Sequence, residues 1–394
     1  MTGETFNNSI VIAAGNPLAG IRADRAISAT ASAAIIQVAG GLTFGGAPGD
    51  QGQTLVTTTN NTYQIQINGT TNLGPAGNMI FTVGTNTTTP MTLGGNAATG
   101  SVALSGAGTL IKTGGTQLNV GVSGVLPIAA STNTGGIIIQ QGILQVNAGT
   151  QPAANGSVVN SLLVSGNITM VGGQLSLRLD GDNSAANRVY TFNSTPLVSI
   201  LGSSTINLDR VTASGGSTKT VAFPQLAIGG QTLTVSNGNS FSLRFEPTSL
   251  GSTPTFNTVT DLMLSGVTDS GGGLYVVKNG VAQLWFDDRS TGSGTANAAN
   301  TFSGGVFVNA GTLRFGNATT ESATAQAGSG PIQLNAGAAV RIFDDTNIAA
   351  GQNVSLLGIA PSLAVVRYHG TTIARSSTLQ IASGTAPRRS AGAS

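Results

Sequence analysis

The chain contains no cysteine. No disulfide framework can hold it, so a fold exposed to an oxidising medium must rely on hydrogen-bonded backbone and apolar packing. Charge is scarce as well: 8% of residues are charged, and residues 51–177 carry a single charged side chain, Lys112. The sequence pI of about 9.2 therefore rests on few groups. No basic stripe tracks a phosphate backbone, which argues against nucleic acid as a partner. No apolar run reaches the roughly 18–20 residues of a membrane span. Residues 1–15 lack the basic start and apolar core of a signal peptide. The C-terminal part lacks the alternating strands of an outer-membrane barrel.

Glycine is abundant, 57 of 394 residues, alongside Ser, Thr and Asn, and 40% of residues are hydrophobic. That apolar fraction, with a net charge of only +2, does not fit a disordered chain. Glycine among β-branched residues points to many short strands joined by tight turns. Residues 300–317 show the pattern best, with strands expected at Val306–Val308 and Thr312–Phe315 around an Asn309-Ala310-Gly311 turn. Alternation places Val306, Val308, Leu313 and Phe315 on one buried side.

A long unit appears twice. Gln53-Thr54-Leu55 and Tyr63 to Ile67 recur as Gln231-Thr232-Leu233 and Phe241 to Phe245. Leu104-Ser105-Gly106 recurs as Leu264-Ser265-Gly266. Lys112, Gly114, Gln117, Leu118 and Val120 match Lys278, Gly280, Gln283, Leu284 and Phe286 at identical spacing. Gly135-Gly136-Ile137 with Gly142 to Val146 matches Gly304-Gly305-Val306 with Gly311 to Phe315. A shorter period repeats Val308-Asn309-Ala310-Gly311 as Leu334-Asn335-Ala336-Gly337, the spacing of one solenoid coil.

These blocks resemble the autotransporter-associated β-strand repeat, also called the passenger-associated transport repeat, of bacterial surface proteins. The family pattern reads Leu-x-Lys-x-Gly, Leu-x-Leu, Asn-Thr-Tyr-x-Gly-Gly and Gly-x-Leu. The second copy carries it in Lys278, Gly280, Leu284 and the run Asn300-Thr301-Phe302-Ser303-Gly304-Gly305; the first has Ser131-Thr132-Asn133-Thr134 in place of that run's start. The resemblance implies an all-β, right-handed parallel β-helix forming a single elongated rod at the bacterial surface or outside the cell. At roughly 20–25 residues per coil and 4.8 Å per coil, about 16–19 coils give a rod about 75–90 Å long.

The expected organisation is a cap or lead-in over 1–34, repeat unit 1 over 35–150, connecting coils over 151–214, repeat unit 2 over 215–318, further coils over 319–384 and a flexible tail over 385–394. The glycines at 114, 135, 136, 142, 280, 304, 305, 311 and 337 serve turns (Gly114, Gly135, Gly136, Gly142, Gly280, Gly304, Gly305, Gly311, Gly337). Asn309 and Asn335 suit a side-chain ladder at one corner. Lys112 and Lys278 stand at strand ends, either satisfying carbonyls at a corner or solvated.

Catalysis by a β-helix requires carboxylates clustered on one outer face. The best acidic pairs, Asp287-Asp288 beside Arg289 and Asp344-Asp345, are adjacent residues that point opposite ways on a strand, so each marks a loop. The lone His369 has no Ser–Asp constellation near it in sequence. Asp180, Asp182 and Ser184 offer oxygens at alternate positions, as in a calcium loop, without the distal Glu of an EF-hand. The reading this stretch favours is an Asx-rich turn after the strand Gln174–Leu179, with no metal site expected. Trp285, the only tryptophan, alternates outward; with Asp287 and Arg289 it would form a partner platform, or it packs beneath residues 290–299. These features predict no cofactor and no enzymatic activity. The expected function is an extracellular scaffold or adhesin-like passenger meeting a glycan, a matrix or host surface, or copies of itself. A self-assembling fibre, sheath or coat subunit is the alternative, and a carbohydrate-active enzyme a weaker one.

Overall fold

The computed structural model describes residues 5–13, 18–23, 35–45, 53–59, 64–75, 77–83, 90–94, 104–121, 131–150, 157–159, 166–192, 197–213, 215–286, 300–315, 328–342, 354–356, 365–368 and 379–381. Among them every regular element is a strand, and every pairing is parallel. The chain coils repeatedly through three faces. Face I is a single sheet of 15 strands, from Thr5–Phe6 to Leu379–Ile381. Face II is split into a sheet of 4 strands ending at Leu104–Ser105 and a sheet of 9 strands beginning at Ser157–Val159. Face III holds 10 strands and ends at Val267–Asp269. The molecule is a parallel β-helix.

Alternation along each strand builds the core. On face I, Ile36, Ile65, Met91, Leu118, Leu144, Leu175, Ile206 and Val235 are register partners in successive coils. On face II, Phe192, Phe223 and Phe245 stack with centroids 5.6 and 5.7 Å apart, and Phe286 stacks on Phe315 at 5.7 Å. One hydrophobic cluster runs from Ile12 to Val354. Burial of this apolar column, at about 25 cal/mol per Å², is the main favourable term for the fold. Sheet pairing crosses the boundaries at 150/151, 214/215 and 318/319 between the expected units: Ile143–Thr150 pairs with Gln174–Gly181, Ser204–Asp209 with Thr232–Asn237, and Thr312–Phe315 with Ala339–Ile342. The units are therefore segments of one continuous solenoid.

The coils are longer than the repeat spacing suggested. On face I, register partners lie from 22 residues apart (Phe256 and Lys278) to 32 apart (Thr5 and Gln37). Fifteen face-I strands at about 4.8 Å give a stack of about 65–70 Å, shorter than expected. Corner turns and insertions between strands take up the extra residues.

Outside the core, face I carries a row of hydrogen-bonding side chains. Gln37, Gln66, Thr92, Asn119, Gln145, Ser176, Asn207 and Ser236 are consecutive partners. Asn119 donates to Thr92 Oγ1 at 3.2 Å, and Asn207 to Ser236 Oγ at 3.0 Å. Neutral polar groups thus cover the outer surface with little charge.

Candidate functional site

Lys112 sits in an inward column, in register between Phe81 and Ile139. Its side chain is fully buried. The stem packs in the core, and Nζ turns at the strand end to donate to Thr113 O (2.6 Å), Gly114 O (2.7 Å) and Gln141 O (3.1 Å). Lys278 repeats this geometry between Phe256 and Val308, donating to Asn279 O and Gly280 O (both 2.8 Å) and Ala310 O (2.9 Å). Of the two sequence alternatives, the carbonyl-bound corner is the one observed. Three ammonium hydrogens meet three carbonyls, the full capacity of the group. The third carbonyl comes from the next coil, so each lysine clamps two coils together. Burial pushes both lysines down to about 8, and for Lys278 nearby Asp261 opposes the shift.

Glycines make these corners possible. Gly142 has φ +67°, and a Cβ there would stand 2.3 Å from Gly114 O and 2.9 Å from Lys112 Nζ; Gly311, at +70°, would meet Gly280 O at 2.4 Å. Gly135 and Gly304 are likewise pressed against backbone at 2.2 and 2.3 Å, and Gly136, Gly305, Gly114, Gly280 and Gly337 take positive φ. At the Asn corner, Asn335 donates to Asn309 Oδ1 (2.6 Å) and Asn309 to Asn279 Oδ1 (2.8 Å), a ladder one rung longer than the sequence motif showed.

The two copies occupy different faces. The Lys112 strand, Thr109–Thr113, lies in face III and is followed by Gln117–Val120 in face I; the Lys278 strand, Val276–Asn279, lies in face I and is followed by Gln283–Phe286 in face II. The second copy is thus turned by one face about the axis. Residues 131–134 in the first copy and 300–303 in the second run along the last strand of a terminating sheet. Thr132 N donates to Leu104 O, and Thr301 N to Val267 O. This corrects one sequence match: the spatial counterpart of Leu104 is Val267, not Leu264. Phe302 packs on Phe286 with centroids 5.5 Å apart, and at its counterpart the buried Asn133 donates to Gly106 O and Gly108 O instead.

The Asp180–Ser184 stretch forms a salt-bridged turn. Asp180 Oδ1 accepts from Val211 N (2.8 Å) and Thr212 N (2.9 Å), and its Oδ2 accepts from Thr212 Oγ1 (2.9 Å). Asp182 accepts from Lys219 Nζ at 2.5 Å, from Arg188 Nε and from Ser184 Oγ at 2.8 Å. The protein's own cations, amides and hydroxyls engage the carboxylate oxygens of Asp180 and Asp182 that a metal would need, and Ser184 Oγ donates to Asp182. Burial alone would raise Asp182, but hydrogen bonds from Lys219, Arg188 and Ser184 outweigh it and hold the carboxyl well below the usual range. Burial, then the charge of Asp182, lifts Tyr190 to about 12. Lys219 lies 37 residues beyond Asp182, and no local motif announces the pair.

The remaining described carboxylates also hold turns or strand ends. Asp209 accepts from Arg210 N and Asn239, Asp261 from Gln283 N and Nε2, Asp269 from Ser303 N and Oγ, and Glu246 pairs with Arg244.

Trp285 does lie on the outward side of its strand, but it is 5% exposed, and the Arg314 guanidinium carbon stands 3.7 Å from the ring centroid. Arg314 takes the ring face that a sugar platform would need. Asp287, Asp288, Arg289, Asp344, Asp345 and His369 lie outside the described residues. No helix among the described residues is long and apolar enough to cross a membrane. Comparison with protein-family models, curated proteins and solved structures produced no match.

Proposed function

We propose that the chain is a non-enzymatic β-solenoid scaffold of the adhesin-like passenger type, secreted or displayed on a bacterial surface. The observation that carries this reading is the use of its ionic groups. All six described carboxylates, Asp180, Asp182, Asp209, Glu246, Asp261 and Asp269, are engaged by backbone or side-chain donors that secure the coil. General acid–base chemistry needs a carboxyl whose proton can move to a substrate. Buried lysine clamps and ladders of uncharged amides suit a durable rod without disulfides. The resemblance to autotransporter-associated repeats supports the cell-surface setting.

A second reading, a subunit of an extracellular fibre or coat, is favoured by the first coil, where Phe6 is 57% and Val11 65% exposed. Apolar side chains beside an open parallel edge suit stacking onto another copy. Electron microscopy with light scattering tests both. Isolated rods at 39.0 kDa support the scaffold, whereas ordered filaments support the fibre. A globular particle, or hydrolysis of a polysaccharide by the purified chain, would overturn both.

A further inference from the structure

The two sequence copies keep apolar residues inward but differ at one outward position. From the first copy onward, that position on successive face-I strands holds Asn119, Gln145, Ser176 and Asn207. From the second copy onward, on successive face-II strands, it holds Trp285, Arg314 and Arg341, and Arg367 is the next register partner. Arg314 matches Gln145, and Trp285 matches Asn119, between the same pairs of core residues.

One arginine per coil places three backbone positions in a straight row about 4.8 Å apart. Arg314 and Arg341 are partly exposed. The Trp285 ring holds the Arg314 guanidinium from behind, which fixes its plane and reduces the entropy lost on binding. The neighbouring outward positions, Gln283, Thr312 and Ala339, are uncharged and keep the strip low.

We infer that the outward arginine row of face II binds an extended anionic polysaccharide, one bearing carboxylate or sulfate on successive sugars. Guanidinium recognises both groups through paired N–H donors. A linear spacing of one cation per coil is close to the length of one sugar ring in an extended chain. Curved nucleic-acid backbones would meet only part of such a short straight row. The inference adds a partner class to the scaffold reading and rests on it for where that partner is met.

The test uses the full chain with heparin and polygalacturonate as anionic probes and dextran as the neutral one. Trp285 is the only tryptophan, so its emission reports on this row specifically. Both anionic probes are expected to shift the emission at low salt, with added salt weakening the response, and dextran is expected to leave it unchanged. R314Q/R341Q/R367Q is expected to weaken binding about tenfold, as the loss of several exposed charge pairs implies. R178Q, on face I, is expected to bind like the parent. Circular dichroism and melting of each variant separate lost binding from lost fold. No response to either anionic probe, or parent-like binding by a folded triple variant, would overturn the proposal. Equal or tighter binding of single-stranded DNA would overturn the assignment of partner class. Failure here leaves a rod-shaped particle intact, whereas failure of the scaffold reading shows in microscopy.

Discussion

Two copies of one sequence unit lie on different faces of the same rod. Lys112 clamps a corner between faces III and I, and Lys278 clamps one between faces I and II. Both nevertheless find two carbonyls at i+1 and i+2 and a third from the coil beyond. The corner is therefore a portable device: it needs a strand end, a positive-φ glycine and a following coil, but no particular face. Between the copies, the connecting coils use a different device, the buried Asp182–Lys219–Arg188 cluster, for a comparable task.

Deleting each clamp is the strongest way to break the equivalence. Lys112→Ala and Lys278→Ala each leave three carbonyls without their donor and empty the space of a buried stem. Each is expected to cost about 3–5 kcal/mol, the two agreeing within about 1 kcal/mol, measured by chemical denaturation. A large cost at one lysine and none at the other would end the claim that they are the same corner.

Gly142→Ala and Gly311→Ala come next. A Cβ at either would lie within 2.4 Å of a backbone oxygen at positive φ, and the expected loss is about 2–3 kcal/mol. Thermal melting of the two variants checks it.

Titration separates the two devices. The clamps are lowered to about 8 from 10.5. Below about pH 8 both folded and unfolded chains keep these protons, and the cost of burying the charge is fully felt. Between about 8 and 10.5 the folded chain releases them first, so stability is expected to rise with pH there. Lys112→Met should flatten that rise. The Asp182 cluster acts at the opposite end: its carboxyl is depressed in the fold, so its contribution is complete above the unfolded value of 3.8 and is lost as pH falls below it. Melting midpoints from pH 2 to 10 in the parent and in Asp182→Asn distinguish the two.

The smallest effect is expected from Asn309→Ala. It removes the central rung of an exposed amide ladder that the first copy's corner does not share, and about 0.5–1 kcal/mol is expected in denaturation.

The inward columns were legible because alternation is a local property. Val306, Val308, Leu313 and Phe315 needed only the period of a strand to be placed, and all four are buried. The turn glycines were legible for a similar reason, since positive φ favours Gly whatever surrounds it. Asp180 and Asp182 were legible as turn residues, but their partners were not, because alternate oxygens look the same whether a metal or a distant ammonium fills them. The arginine row was within reach: Leu313-Arg314-Phe315, Val340-Arg341-Ile342 and Val366-Arg367-Tyr368 share one apolar-Arg-apolar pattern. Only its alignment in space shows that the three belong together.

Sequence alone determined the side of each strand that is buried and the turns that must be glycine, because these follow from dihedral preference and period two; the β-helix expectation came from the repeat resemblance. Tertiary structure decided the face on which each strand lies, the carbonyl that completes each lysine and the arginines that stand in one row. Those outcomes depend on coil lengths accumulated through turns of 19 to 36 residues, and no local rule contains that sum.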